Sequence, residues 1–189
     1  QTLARWLSEG RKPLPVSVNI SRYDVFRADL IDVIVGLLEK YQVDVSLLRL
    51  EITESAFTES TLQIIAVVRQ LLRRGFTVEI DDFGSGYSSL NTLKDVPANV
   101  LKLDMRFLES TKNSERGGNI LESVVRMAKW LDMSVIAEGV ETMDQADFLK
   151  SIGCNYIQGY LYSRPVPLAE YEAIALGAAL YIAMSVSSL

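Results

Sequence analysis

The chain has 189 residues, a net charge of −5, and a composition that is 49% hydrophobic and 23% charged. This is the balance of an ordinary globular domain with a sizeable core. The negative charge argues against a broad nucleic-acid-binding surface. Because histidine is absent, a Ser-His-Asp triad, a Cys-His dyad, a histidine zinc site and a histidine general base are excluded.

The single cysteine, Cys154, can form no internal disulfide, which fits a reducing compartment, and we expect it to pack as a small buried hydrophobe. No signal peptide is visible, and no stretch reaches the ~18 apolar residues of a membrane span. We expect the apolar tail Ala173–Leu189 to form a packing helix and a loose end, with an interface helix as the alternative. A cytoplasmic location is expected, either of the whole protein or of the cytoplasmic part of a membrane-anchored parent.

Short β-like runs alternate with amphipathic helical patterns along the chain. The predicted strands are Pro15–Ile20, Leu48–Thr53, Thr77–Asp82, Val100–Asp104, Ser134–Glu138 and Tyr156–Leu161. The predicted helices are Asp24–Gln42, Thr58–Arg74, Glu115–Leu131, Met143–Ile152 and Leu168–Leu180. The alternation predicts an α/β fold with parallel strands joined by helical crossovers, and residues 1–189 are expected to form a single domain.

Helix start and stop signals support these boundaries. Asp24 and Thr142 can cap helix N-termini, and Gly75 and Gly153 stand where helices should end. The residues before Gly10 also show a helical face, which predicts a helix whose preceding strand is absent.

The most informative stretch covers residues 77–87. A β-favouring run ends on two adjacent carboxylates, Asp81 and Asp82, and a Gly-Ser-Gly turn follows one residue later. Adjacent carboxylates repel each other, so they persist mostly where a cation neutralises them or one stays protonated. Their oxygens suit hard divalent ions such as Mg²⁺ or Mn²⁺, and the two glycines permit a sharp, mobile loop over such a site.

Every predicted strand carries a polar residue near its C-terminal end. A (β/α)8 barrel gathers its active site at this end of every strand, whereas an open doubly wound sheet gathers ligands at one switch point. The pattern therefore favours a TIM-like (β/α)8 barrel. The polar residues are, in strand order, Asn19, Glu51 with Glu54, Asp81 with Asp82, Lys102 with Asp104, Glu138, and Gln158.

Several of these residues also have purely structural interpretations. Asn19 and Asp104 are of types that stand in turns or cap helices, and Glu54 could simply support the start of the following helix. Gln158 is a weak signal by itself. Glu79 lies on the same strand face as Asp81, but the sequence assigns it no role.

Lys102 and Glu138 are more informative. Lys102 lies between two leucines and on the opposite strand face from both. A lysine that faces a barrel interior is costly unless carboxylates surround it, which favours a functional role. Glu138 ends an apolar strand and is interpreted in the same way.

Together these motifs resemble the EAL family of cyclic di-GMP phosphodiesterases. Six motifs in the same order over most of the chain make the resemblance specific, although no one motif would suffice. The matching segments are Val18–Ser21, Glu51–Ser55, Asp81–Leu90, Leu101–Asp104, Ala137–Thr142 and Gln158–Pro165.

The resemblance implies hydrolysis of cyclic di-GMP to linear pGpG with two divalent ions, Mg²⁺ or Mn²⁺. In the family pattern, Asn19, Glu51 and Asp81 bind one ion. Asp81, Asp82 and Glu138 serve the second ion. Paired metal ions activate water and neutralise the phosphate, so an acidic protein can bind this anion.

The resemblance also implies roles for the remaining polar residues and for partners. Lys102 orients the attacking water, Glu138 is a candidate general base, and Gln158 completes the site. Glu54 braces the loop from Phe83 to Leu90, which in this family couples dimerisation to metal binding. A homodimer and regulatory or cyclase domains in a longer parent are expected, with no nucleic-acid polymer as partner.

One departure from the family pattern is serious. No Glu-Ala-Leu segment is present, although its glutamate is a metal ligand in the family and a nearby arginine contacts phosphate. We therefore expect a barrel that lacks roughly its first two strands. A non-catalytic cyclic di-GMP receptor and a dimerisation or interaction module remain as alternatives. A phosphate-sugar isomerase on the same fold fits less well, because it does not need the Asp-Asp pair.

Overall fold

The computed structural model describes residues 1–59, 61–84, 90–104 and 115–177. Its backbone divides into two compact units, Gln1–Val100 and Leu101–Leu189, which are taken in turn below. Both units alternate strands with helices, as the sequence predicts.

The first unit contains three complete strands and six α-helices among its described residues. The strands are β1 (Val16–Asn19), β2 (Leu48–Thr53) and β3 (Thr77–Phe83). The helices are α1 (Thr2–Ser8), α2 (Arg22–Val25), α3 (Leu30–Tyr41), α4 (Glu54–Glu59), α5 (Thr61–Arg73) and α6 (Leu90–Asp95). A short 3-10 helix, Val45–Leu47, leads into β2.

The strands of the first unit are parallel and follow each other in the order β1-β2-β3. One face of β2 and β3 is apolar, and the strands contact α4 and α5. Leu50, Ile52, Val78 and Ile80 on these strands are each at most 2% exposed. Ile64, Val68 and Leu71 of α5 are fully buried. The core of this unit therefore lies between the sheet and these helices.

The second unit begins within β4 (Val100–Asp104) and keeps the strand order β4-β5-β6. The remaining elements are α7 (Glu115–Trp130), β5 (Ser134–Glu138), α8 (Met143–Ser151), β6 (Tyr156–Ile157) and α9 (Leu168–Gly177). β5 and β6 are parallel, and α7 packs on β5. Leu121, Val125 and Ala128 of α7 are buried, as are Val135 and Ala137 of β5.

The predicted helix Asp24–Gln42 is wrong, because it is two helices. Ser21, not Asp24, caps the first one, and its Oγ accepts the Asp24 backbone N–H at 3.1 Å. The second begins after Asp29, whose carboxylate accepts two hydrogen bonds from Arg27 at 3.0 and 2.9 Å. The hydrogen bond from Arg27 holds the pKa of Asp29 below its ordinary value.

Other capping predictions are confirmed. Thr142 and Gln145 form a capping box in which Thr142 Oγ1 accepts the Gln145 N–H at 3.3 Å and Gln145 Oε1 accepts the Thr142 N–H at 3.0 Å. Gly75 and Gly153 follow α5 and α8 with φ of +88° and +79°, the left-handed region that favours glycine after a helix.

A repeated asparagine contact closes the N-terminal ends of two strands. Asn99 precedes β4, and its Oδ1 accepts the N–H of Val78 on β3 at 2.9 Å. Asn155 precedes β6, and its Oδ1 accepts the N–H of Val135 on β5 at 3.0 Å. Each side chain takes up a backbone donor at the start of a strand, which helps to fix the strand's position.

Cys154 is buried, as predicted, with 2% of its surface exposed. Its Sγ donates to the carbonyl of Tyr156 at 3.2 Å. Burial raises the pKa of the thiol, because the thiolate is poorly solvated there. Cys154 is therefore a protonated packing residue at neutral pH.

Two expectations concern the end of the chain and the membrane. α9 begins at Leu168, as predicted, and is described to Gly177, so the predicted packing tail beyond it falls outside the described residues. Within the part of the chain that the structure describes, we find no helix with the length and apolar character needed to cross a bilayer.

We predict that Gly159→Ala strongly destabilises the chain. A Cβ at this position would overlap the backbone nitrogen and oxygen of Val140, which cannot rotate out of the way. We expect a loss of at least about 2 kcal/mol in the free energy of unfolding, measured by urea denaturation.

The control for this prediction is Gly36→Ala in α3. A Cβ there meets no atom within 4 Å, so alanine should raise helix stability by about 0.5–1 kcal/mol. Equal unfolding free energies for wild type and Gly159→Ala would contradict the close packing of Gly159 on Val140.

Candidate active site

The face of the first unit's sheet opposite its apolar core is polar. Side chains alternate along a strand, and in-register neighbours on parallel strands point to the same face. Ser17 pairs with Arg49, and Asn19 pairs with Glu51, which pairs in turn with Glu79. The residues on this face are Ser17, Asn19, Arg49, Glu51, Thr53, Thr77, Glu79 and Asp81.

Three of the predicted metal ligands stand at or within two residues of the C-terminal ends of these strands. Asn19 ends β1 and is exposed, whereas Glu51 and Asp81 are each only 8% exposed. The backbone carbonyl of Glu51 accepts the N–H of Ile20 at 2.8 Å, which extends the pairing of β1 with β2. Amide and carboxylate oxygens at one sheet edge are the ligands that Mg²⁺ and Mn²⁺ prefer.

Asp82 has an unusual backbone. Its φ is +56°, in the left-handed region that residues with side chains rarely adopt. Such a residue interrupts the alternation of a strand, so two consecutive side chains need not point to opposite faces. A carboxylate oxygen of Asp82 lies within 4.8 Å of one of Asp81. Two carboxylates at this separation repel each other, and a divalent cation would relieve the repulsion.

Glu54 connects the end of β3 to the start of α4. The residue is 3% exposed, and its Oε2 accepts the backbone N–H of Gly84 at 2.9 Å. Gly84 is the second residue of the loop from Phe83 to Leu90, which the family resemblance predicts Glu54 to brace. Residues 85–89 of that loop lie outside the described part of the chain.

Glu79, which had no predicted role, is 0% exposed. Its Oε2 accepts a hydrogen bond from Ser17 Oγ at 3.0 Å, and its Oε1 pairs with Arg49 Nη1 at 3.2 Å. Spacing in the sequence could have indicated this group, because each member stands two residues before a predicted metal ligand. The pairs are Ser17 and Asn19, Arg49 and Glu51, and Glu79 and Asp81.

The second unit contributes a buried ion pair. Lys102 of β4 and Glu138 at the end of β5 approach to 2.9 Å, with side chains 7% and 21% exposed. Glu138 is therefore a carboxylate partner of the kind that a buried lysine requires. Asp104 at the end of β4 is half-buried.

Gln158 follows β6, and its side chain is exposed. Its backbone is held on both sides, since its N–H donates to Ala137 at 2.8 Å and its carbonyl accepts from Val140 at 3.1 Å. The described contacts fix the position of its main chain at the C-terminal end of the second unit's strands.

A family model described as EAL domain matches residues 1–165. The chain belongs to the EAL-domain family. It is 40% identical over 163 residues to cyclic di-GMP phosphodiesterase NbdA of Pseudomonas aeruginosa, covering 86% of this chain and 21% of NbdA. The chain thus spans about a fifth of the length of this curated relative.

Solved structures of EAL proteins share the fold. The PaMucR phosphodiesterase in complex with c-di-GMP superposes with a TM-score of 0.80 at 35% identity, covering 88% of this chain and 68% of that chain. Klebsiella pneumoniae BlrP1 in a manganese and cyclic di-GMP complex gives a TM-score of 0.76 at 30% identity, over 86% of this chain and 41% of that one. The predicted fold class, an α/β TIM-like barrel here lacking roughly two strands, is confirmed.

We predict that Glu54→Ala accelerates hydrogen exchange at the Gly84 amide. The substitution removes the carboxylate that accepts this N–H, and a hydrogen bond to a charged group is worth about 1.5–3 kcal/mol. Exchange at Gly84, followed by NMR, should therefore become about tenfold faster or more.

Glu54→Gln is the control, because its side-chain oxygen can still accept the Gly84 N–H, and most of the protection should remain. Unchanged exchange at Gly84 in Glu54→Ala would mean that this contact does not hold the start of the loop.

Proposed function

We propose that this chain provides most of the active site of a metal-dependent phosphodiesterase that hydrolyses cyclic di-GMP to linear pGpG in bacterial second-messenger signalling. The observation that carries the proposal is the pair of buried carboxylates, Glu51 and Asp81, at the C-terminal ends of adjacent strands in an EAL-family chain. The names of the relatives described above say that they act on or bind cyclic di-GMP, which supports the choice of substrate.

The donor set fits two hard divalent ions, Mg²⁺ or Mn²⁺. Following the family pattern, Asn19, Glu51 and Asp81 hold one ion, and Asp81, Asp82 and Glu138 serve the second. The close approach of the Asp81 and Asp82 carboxylates supports this assignment, because one shared cation offsets their repulsion. Manganese in the BlrP1 complex supports an ion of this class.

The bound ions supply an activated water and neutralise the charge of the phosphodiester. The chain's own residues then hold and orient the reactants. Lys102 directs the attacking water through its ammonium group, and its ion pair with Glu138 fixes the direction in which that group points. Glu138 accepts the proton of the attacking water as general base.

Two further residues support the site. Gln158 contributes a polar side chain, and backbone hydrogen bonds to Ala137 and Val140 anchor its main chain. Glu54 holds the start of the loop after β3 through the Gly84 amide. This hydrogen bond fixes the chain two residues after Asp82 and so helps to place Asp81 and Asp82.

We also propose that residues 1–189 form one partial EAL-type domain of a longer protein and that the domain acts as a homodimer. The family match runs through both compact units, which supports a single domain. The small share of NbdA that the chain covers supports additional regulatory or cyclase domains.

Turnover of cyclic di-GMP with Mn²⁺ tests the proposal, with pGpG measured by chromatography. We expect wild type to produce pGpG and Asp81→Ala to lose at least about 100-fold in rate, because the variant removes a ligand of both ions. Asp147→Ala, which removes an exposed carboxylate from α8, is the matched control and should keep wild-type activity.

The alternatives give different results in the same experiment. Binding of cyclic di-GMP without pGpG would indicate a receptor and contradict hydrolysis by this chain. Neither turnover nor binding would indicate an interaction module.

A further inference from the structure

We propose that Ser17, Arg49 and Glu79 act as a positioning triad for the metal ligands Asn19, Glu51 and Asp81. The inference rests on the proposed function, because it concerns how the chain prepares that metal site. None of the three residues is assigned to the reaction or to a metal ion.

The two sets of residues lie side by side on the polar face of the first unit's sheet. Ser17 is level with Arg49, whereas Glu79 is level with Glu51 and Asn19. Each triad residue precedes one ligand by two positions on the same strand, so both side chains share a face about 6.6 Å apart along that strand. The pairs are Ser17 with Asn19 on β1, Arg49 with Glu51 on β2, and Glu79 with Asp81 on β3.

Glu79 connects the three strands through its side chain. One carboxylate oxygen accepts from Ser17 on β1, and the other pairs with Arg49 on β2. The side chain of Glu79 is 1% exposed, so the carboxylate end of both contacts is shielded from bulk water, although the contacts as a whole are partly buried. Hydrogen bonds to a charged group in such surroundings are stronger and more directional than exposed ones. The triad therefore limits sliding of β1, β2 and β3 relative to one another next to the ligands.

Charge gives the triad a second effect. A buried carboxylate at position 79 would by itself add to the repulsion between Glu51 and Asp81. The Arg49 guanidinium compensates that charge at 3.2 Å, and Arg49 remains 33% exposed in its side chain, which limits its loss of hydration. The negative charge of the face is thus concentrated at the strand ends, where a cation binds.

A positioning role can be separated from a purely structural one. Replacing a buried ion pair with apolar residues of similar volume is often neutral for stability, because both desolvation costs disappear with the pair. Arg49→Met combined with Glu79→Leu should therefore preserve folding but remove the polar link between the strands.

The experiment compares Mn²⁺ binding and thermal unfolding for the 189-residue chain. Free Mn²⁺ is measured by electron paramagnetic resonance during titration, and the unfolding midpoint is measured in EDTA. We expect the double variant to bind Mn²⁺ at least about tenfold more weakly, as for other residues that orient metal ligands, with a midpoint within a few degrees of wild type. Arg5→Ala with Glu9→Ala, which removes an exposed ion pair of the same unit, should change neither quantity.

Glu79→Gln keeps the inference testable if the double variant unfolds easily. Glutamine retains the shape and an acceptor oxygen but loses the charge, so we expect intact folding and Mn²⁺ binding weakened several-fold. Wild-type Mn²⁺ affinity in a folded Glu79→Gln or double variant would overturn the positioning role and leave the proposed function intact. Failure of the wild-type chain itself to bind Mn²⁺ would overturn both the positioning role and the proposed function.

Discussion

Burial of carboxylates on one face of a parallel sheet is the constraint on which the rest of this structure depends. Glu51, Glu79 and Asp81 on this face are all less than 10% exposed, as is Glu54 at the start of α4. Each buried charge loses its hydration, at a cost of several kcal/mol unless hydrogen bonds or opposite charges compensate it. Glu79 is compensated by Arg49 and Ser17, and Glu54 by the Gly84 amide. Glu51 and Asp81 stand at strand ends, where a divalent cation would compensate both.

The fold provides this polar face without weakening the core. In the first unit, the apolar side chains of β2 and β3 are buried on the helix side of the sheet, so the polar face takes no apolar contacts from the core. The left-handed backbone of Asp82 then changes the direction of the chain where β3 ends. In the second unit, Lys102 and Glu138 place opposite charges on neighbouring strands. Both units thus combine an apolar layer with polar strand ends.

Local patterns in the sequence predicted most of the elements. Alternation and apolar runs gave β2, β4 and β5 at their observed boundaries and β1 and β3 to within one residue at either end. The predicted strand Tyr156–Leu161 was too long, since β6 ends at Ile157. The break between α2 and α3 was missed, because apolar residues at roughly helical spacing continue across it from Val25 to Leu38. The Asn99 and Asn155 contacts were also missed, because an asparagine before a strand is equally typical of a turn.

The candidate site was predictable in its residue types but not in its internal contacts. Strand-end carboxylates, the buried lysine and the six motifs indicated the metal ligands. The partners of Glu79 could not be found in this way, because Ser17 and Arg49 are 62 and 30 residues away and reach it only through the register of three strands. Likewise, the pairing of Lys102 with Glu138 depends on the adjacency of β4 and β5. Contacts of this kind are fixed by tertiary structure, and sequence spacing alone does not specify them.

An anomalous difference map from crystals of this chain grown with Mn²⁺ tests the central claim most directly. Our account predicts a manganese peak within coordination distance of the carboxylates of Glu51 and Asp81 at the ends of β2 and β3. An ordered, fully formed sheet edge without manganese at that position, at a Mn²⁺ concentration that supports turnover in related enzymes, would contradict the claim that these buried carboxylates form a metal site.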